Sequence, residues 1–557
     1  MTPSEIWGEV KQKVKRKWKL AFLSAVCVGL LVHMPVMLSD IPNHDGLDSM
    51  YFDQNMITSG RWFLSVACGF SSYYTLPWLI GLLGLLFLGV AAAVLVELLE
   101  VEKGWAVAAC SGLLVTFPAL ASTFAYVFTL DGYMMALLLA LLAVLCTKKY
   151  EKGFLAGGVC LAFSLGIYQG YLAFAMILSL YAVVMRWAGG ESWQKKVRHT
   201  LHYLYMGVLG AVLYYGLLQV LLVLQGKELD TYQGINGMEL GIASRTGGIF
   251  PALAGMYRDF AAFSLKGNVV FHNWISLAAL VLLGVAAVFW GSASLHSRKG
   301  WKNPGFFAIM GVALVMLPLV TNIVLLISPD VTYHLLLRYQ WVLFPIGLVA
   351  IVGQKDPDGE GAEGGLGTGK TGKGRTSREA SEQGTTGKRV SGGKISSQGM
   401  RRILWEWTAL VAAHVLVFFY GVTDNIGYSN LQKRYEKTYA YCVRLLDRIE
   451  QTEGYYTGIP IAMVGVVGDE PYPVTDITLP VTGNMIGLGG DILLYRGDNY
   501  REFIRHYLGA TLNILPPEAM AEMYDTQEYV DMDSFPGEDS IRIIDGIMYI
   551  KTENRER

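Results

Sequence analysis

Apolar residues in this chain gather in runs of about 15 to 25, broken by short stretches that hold most of the charge. A hydrocarbon core of about 30 Å needs about 20 apolar residues in helix. On that measure the pattern predicts eleven membrane spans, at approximately 20–38, 76–98, 105–122, 132–147, 154–168, 171–186, 201–225, 274–291, 305–327, 340–353 and 403–423. The fifth and sixth runs are short and separated only by residues 168–171. They read either as two spans or as a pair of half-buried helices meeting at a tight turn. Composition agrees: 53% of the 557 residues are hydrophobic and 16% charged, against about 25% charged in soluble chains. A soluble enzyme, a collagen-like fibre and a disulfide scaffold are excluded. The six cysteines, at 27, 68, 110, 146, 160 and 442, mostly lie in apolar runs and read as small core residues.

Charge orders the chain across the membrane. Short cytoplasmic segments carry excess Lys and Arg, and the N-terminal tail holds Lys11, Lys13, Lys15, Arg16, Lys17 and Lys19. The expected organisation is therefore a basic cytoplasmic N-terminus (1–19), a helical membrane domain (20–353) with outer loops 39–75 and 226–273, a cytoplasmic loop 354–402, a last span 403–423, and an outer C-terminal domain 424–557. The loop 354–402 is Gly, Ser, Thr, Lys and Arg with almost no apolar side chain, which predicts disorder and contact with anionic lipid headgroups. The C-terminal segment holds 22 Asp and Glu against 12 Lys and Arg. Its pattern predicts a small α/β domain: an amphipathic helix over 428–451, a strand at Ile459–Val467, a helix at 499–508, and a hairpin over 541–550 turning at Asp545-Gly546. The fold class is thus an α-helical polytopic membrane protein with a small extracytoplasmic α/β domain. No folded face concentrates basic residues, so nucleic acid is not a partner.

The first outer loop, 39–75, is the richest in chemistry. It holds Asp40, His44, Asp45, Asp48 and Asp53, with Arg61 as its only basic residue. Asp45 and Asp48 are three apart and share a face if the stretch after Pro42 is helical. A partly desolvated carboxylate there can serve as general base towards a hydroxyl; the competing reading is a solvated acidic loop with helix-start residues. Asp131 stands at the outer end of the fourth span, where an ionisable group beside lipid is costly, and its spacing also suits an N-cap. Tyr168 and Gln169 offer hydrogen bonds suited to a sugar or to closing a helix end. Among outer cations, Arg245 and Arg258 lie in the 226–273 loop beside Gly247-Gly248, a stretch able to bring N–H groups to an anion. Arg338, at the mouth of the tenth span, either clamps a phosphate or snorkels. His33, inside the first span, reads as a packed interior residue. No Walker A, HExxH, CxxC pair or GxSxG sequence is present, and no ligand cluster has metal spacing. A divalent ion on the outer carboxylates is left without support, and no cofactor is expected.

The segment His44 to Asp48 ending at Gly60-Arg61-Trp62, the later Leu130-Asp131-Gly132, the helix end Gly166 to Gln169, and Arg338 near a late span together resemble the GtrII-type glucosyltransferases, polytopic bacterial enzymes of GT-C-like architecture associated with O-antigen and related surface polysaccharide. The resemblance covers roughly 15–353, and more loosely the eleventh span and the outer C-terminal domain. It implies transfer of a sugar, typically glucose, from a polyprenyl-phosphate donor such as undecaprenyl phosphate to a cell-surface polysaccharide or glycolipid on the outer face of the bacterial cytoplasmic membrane. It also implies Asp45 first and Asp48 second as catalytic base. Arg338, helped by Arg245 or Arg258, would hold the carrier phosphate, with His44, Arg61, Asp131, Tyr168 and Gln169 as further binding residues. Two rival readings stand beside it: a transporter or flippase of a lipid-linked sugar, which calls for charge at mid-bilayer depth and repeated halves, and a scaffold acting through residues 424–557.

Overall fold

The computed structural model describes residues 2–42, 44–48, 56–68, 76–230, 249–266, 273–297, 303–328, 331–355, 397–464, 485, 488, 494, 497–520 and 522–552. Among them nine helices are long and apolar enough to cross a membrane, ten if one bent pair counts as a span. The chain is a multi-pass membrane protein. Eleven full crossings are not reproduced, for two physical reasons. The third run is broken into Gly104–Thr116 and Pro118–Ala125, bent by 44°, because Pro118 has no N–H to give and pushes Phe117 into extended backbone (ψ 128°). The fifth is a 15-residue helix, Gly153–Ile167, only about 22 Å long at 1.5 Å per residue. A single 3-10 turn, Gln169–Tyr171, joins it to Leu172–Ala188.

The first span, Arg16–Met37, packs along the second, Pro77–Leu98. Small residues let the two approach: Gly29 faces Leu85, Gly81 faces Met37, and Gly89 faces Phe22. At one end Glu97 gathers Lys15 (2.8 Å), Lys17 (3.1 Å) and Lys149 (3.0 Å) and accepts a hydrogen bond from Trp18 Nε1 (2.9 Å). Three span ends are thereby tied together on the side where the basic residues collect.

The last span and the amphipathic helix expected after it are one element, Ser397–Gln451, 55 residues long. It also takes in residues assigned to the loop 354–402; residues 356–396 of that loop lie outside the described ones. No proline interrupts 397–451, so the backbone ladder continues where the hydrophobic pattern stops. Beyond the apolar part, Cys442, Leu445 and Ile449 of this helix bury against a four-stranded sheet in the order β2-β1-β4-β3. Here β1 is Pro460–Val464, β2 Asn513–Ile514, β3 Ile541–Ile544 and β4 Ile547–Lys551. Strand β1 runs parallel to β2 and β4, while β3 and β4 are antiparallel. The turn between β3 and β4 places Asp545 at φ 51° and Gly546 at φ 78°, the two positive angles that the tight hairpin requires and that Asp-Gly supplies.

Candidate active site

Three sequence segments that lie far apart along the chain meet at one end of the bundle. Arg61 donates through Nε to Ser59 Oγ (2.9 Å) and through Nη1 to Tyr133 Oη (3.3 Å). The Tyr133 ring stacks on Tyr168, centroids 4.3 Å apart, and Tyr171 meets both edge-on. Gln169 donates to Tyr214 Oη (2.9 Å) and to the Ser59 carbonyl (3.3 Å), while Tyr214 donates to the Gly60 carbonyl (3.1 Å). The Phe63 N–H donates to the Gly166 carbonyl (2.7 Å). The Gly166 position is obligatory in size: a Cβ there would lie 2.6 Å from the Trp62 ring. Gly60-Arg61-Trp62, Tyr133 just after Leu130-Asp131-Gly132, and Gly166 to Gln169 therefore form one aromatic and hydrogen-bonded cluster.

Within it two readings are corrected. Asp131 is not an N-cap; Thr129 holds that position, and Asp131 is the second residue of Leu130–Lys149, fully buried and accepting the Gly132 N–H at 2.9 Å. Its carboxylate still faces the positive end of the helix dipole. The Gln169 side chain does not close a helix end; it pins the 59–60 turn.

Arg338 is also not a snorkelling residue, because it is only 8% exposed and its guanidinium is paired with Asp259. It lies in a 3-10 segment, Leu335–Val342, with kinked backbone (φ −109°, ψ 17°). Its two prongs reach Asp259, Nη1 to Oδ2 at 2.6 Å and Nη2 to Oδ1 at 2.7 Å, and Nε donates to the Tyr333 carbonyl (3.2 Å). The guanidinium also lies over the rings of Tyr333 (3.8 Å) and Phe263 (4.6 Å). Asn322 supports the acid, donating to Asp259 Oδ2 at 3.1 Å. The segment joins the cluster above through Leu337, beside Gly170, and through Tyr339, edge-on to Phe174.

The stretch expected as loop 226–273 contains an 18-residue helix, Ile249–Lys266. Apolar residues recur there with helical period, which placed Arg258 on its exposed face and Asp259 inward. Arg245 lies outside the described residues.

Asp45 sits on a short helix, His44–Asp48, and is partly buried. The anchor of that helix is Leu47, 1% exposed, which enters the core formed by Cys442, Leu445, Ile449, Tyr500 and Phe503. The first loop is therefore packed against the C-terminal segment through Gly497–Phe503. The side chains of His44 and Asp48 lie outside the described ones. Tyr133 and Tyr214, in apolar helical runs, and Asp259, in the expected loop 226–273, were not legible as site residues in the sequence; only the cost of a lone carboxylate near Arg338 could have pointed to Asp259.

Among the described residues no three His, Cys, Asp or Glu side chains come together as a metal site. The family described as Glucosyl transferase GtrII matches residues 34–345, more than half of the chain, including Arg61, Tyr133, Gln169, Tyr214, Asp259 and Arg338. The chain belongs to the GtrII glucosyltransferase family. No curated protein and no solved structure matches it. As a GtrII family member it is a membrane glycosyltransferase, and the family range takes in Asp45, Arg61, Asp131, Gln169, Asp259 and Arg338 while leaving out Ser397–Gln451 and the sheet.

Proposed function

We propose that this GtrII family member transfers glucose from a polyprenyl-phosphate donor to a cell-surface polysaccharide or glycolipid on the outer face of the bacterial cytoplasmic membrane. Asp45 removes the proton of the acceptor hydroxyl, the hydroxyl oxygen attacks the anomeric carbon, and the bond from that carbon to the phosphate oxygen breaks. Arg338 receives the developing charge on the leaving polyprenyl phosphate, with Arg245 and Arg258 as further cations for the carrier. Arg61, Tyr168 and Gln169 line the sugar side, His44 stands beside the base, and Asp131 holds the helix start among them. Asp48 is the second choice for the base.

The observation that carries the reading is the way Arg338 is presented. Its fork already meets a two-oxygen anion, Asp259, in the fork-to-fork arrangement that also suits phosphate. In this reading Asp259 occupies the prongs until the donor phosphate exchanges for it. A lipid donor enters sideways from the bilayer, and a site assembled at span ends is open to that route. Mass spectrometry of surface glycan from cells with and without the protein tests the proposal. Loss of one hexose per repeat in its absence supports it, and an unchanged glycan counts against it.

A further inference from the structure

The residue that this chemistry does not use, and whose surroundings ask for a partner, is Asp424. It lies on the long helix Ser397–Gln451, at the end of its apolar part and beyond the range of the family match. It is 0% exposed, and among the described residues neither carboxylate oxygen meets a hydrogen-bond donor. Left ionised without a donor, such a carboxylate costs several kcal/mol, so its charge has to be answered, by a cation or by its own proton.

Four neighbouring side chains direct a donor elsewhere and none of them bonds the carboxylate. Tyr428, one turn along the same helix and within electrostatic reach of Asp424, bonds His33 Nδ1 at 2.5 Å. The direction follows from the other side of the ring: His33 Nε2 is 2.7 Å from the Val115 carbonyl, which can only accept, so the neutral ring carries its proton there and Nδ1 accepts from Tyr428. Tyr339, also within reach of the Asp424 charge, donates to the Leu114 carbonyl at 2.5 Å. Thr423 donates to the Phe419 carbonyl (3.0 Å), and Asn425 donates to the Gly421 carbonyl (2.8 Å). What the cluster keeps is lone pairs on oxygen. Leu114 and Val115 are the last turn of Gly104–Thr116, the half-helix that ends at the 44° break, so the negative end of its dipole faces the same cluster. A broken-helix carbonyl end beside a buried carboxylate is a setting in which membrane proteins hold a monovalent ion.

The geometry points to a binding site for a monovalent metal cation, sodium or potassium, centred on the Asp424 carboxylate with the Tyr339 and Tyr428 hydroxyl oxygens available as neutral donors of lone pairs. One carboxylate balances one charge; a divalent ion would leave a charge unanswered in a buried place. The ion would join the long helix, the first span, the broken span and the segment that carries Arg338, positioning that segment without touching the reacting atoms.

The test uses the full chain in lipid nanodiscs, with thermal unfolding followed in sodium, potassium and choline chloride at equal ionic strength. The wild type is expected to show a saturable rise in Tm in sodium or potassium over choline, the unfolding constant falling about 100-fold when the cation is at about 100 times its Kd. In Asp424→Asn the three salts should give the same Tm. Equal Tm values for the wild type in all three salts would overturn the proposal, as would a cation shift that survives in Asp424→Asn. A Tm that depends on pH and not on the salt would assign the carboxylate a proton instead and overturn it too. Binding of radiolabelled sodium to the wild type, competed by potassium and not by choline, keeps the test decisive if Asp424→Asn does not fold.

Discussion

Leu47→Ala probes the link between the first loop and the C-terminal segment. Leu47 is 1% exposed and its neighbours Cys442, Leu445, Ile449, Tyr500 and Phe503 come from elements more than 390 residues later. Truncating a fully buried Leu to Ala costs about 2–5 kcal/mol through lost transfer energy and the cavity left behind. At about 1.4 kcal/mol per tenfold, the docking equilibrium of His44–Asp48 weakens about 30- to 4,000-fold. The remainder of the loop is held elsewhere, by Gln169, Tyr214 and Gly166, so the loss should be local. Hydrogen exchange read by mass spectrometry is the assay. Peptides covering 41–48 and 497–508 should lose protection together in Leu47→Ala, while peptides within Leu130–Lys149 keep theirs. Turnover should fall by up to about 100-fold through misplacement of Asp45, with little change in the Michaelis constant for the donor. Unchanged protection of 497–508 in a folded Leu47→Ala protein would mean that Leu47 does not dock the first loop there.

Two other expectations follow from single contacts and a third from the topology. Arg338→Lys keeps the charge but cannot make both bonds to Asp259, so donor use should weaken substantially and stability should fall by about 1–3 kcal/mol; kinetics and Tm equal to wild type would remove the fork from the account. Gly166→Ala puts a Cβ 2.6 Å from Trp62 and should cost about 1–3 kcal/mol by overpacking, measured as a lower midpoint of thermal unfolding. A cysteine introduced at Ser381 should react with an impermeant maleimide only from the cytoplasm, and one at Asn484 only from outside; labelling of both from one side would mean an even number of crossings between them.

Much of the bundle was legible because hydropathy over 18 or more residues leaves the backbone one choice in lipid. Where the signal failed, local chemistry overrode the average. Pro118 broke an apolar run that hydropathy reads as continuous. The run 154–168 was already short in letters, and as a 15-residue helix it falls short in ångströms too. The junction at 424–427 looked like an end because polarity changes there, yet nothing in the backbone chemistry of those residues stops a helix. The hairpin at Asp545-Gly546 was legible because two positive φ angles in a row leave few residue choices. At the site, the motif residues around 61, 131 and 169 could be named from sequence as chemistry, but their contact with one another could not. That contact depends on Tyr133 and Tyr214, whose apolar rings make them look like lipid-facing or core residues. Asp259 was hidden for a related reason: the Ile249–Lys266 helix turns it inward, where it meets an Arg 79 positions later.

The most direct test of the central claim is sugar transfer by the purified protein in nanodiscs, supplied with polyprenyl-phosphate glucose labelled in the sugar and with surface glycan as acceptor. Label should appear in the glycan, polyprenyl phosphate should be released in equal amount, and the rate should be about 100- to 10,000-fold lower in Asp45→Asn, which keeps the shape and removes the base. No transfer by folded wild-type protein from this donor, while a nucleotide-linked glucose is used instead, would contradict that claim.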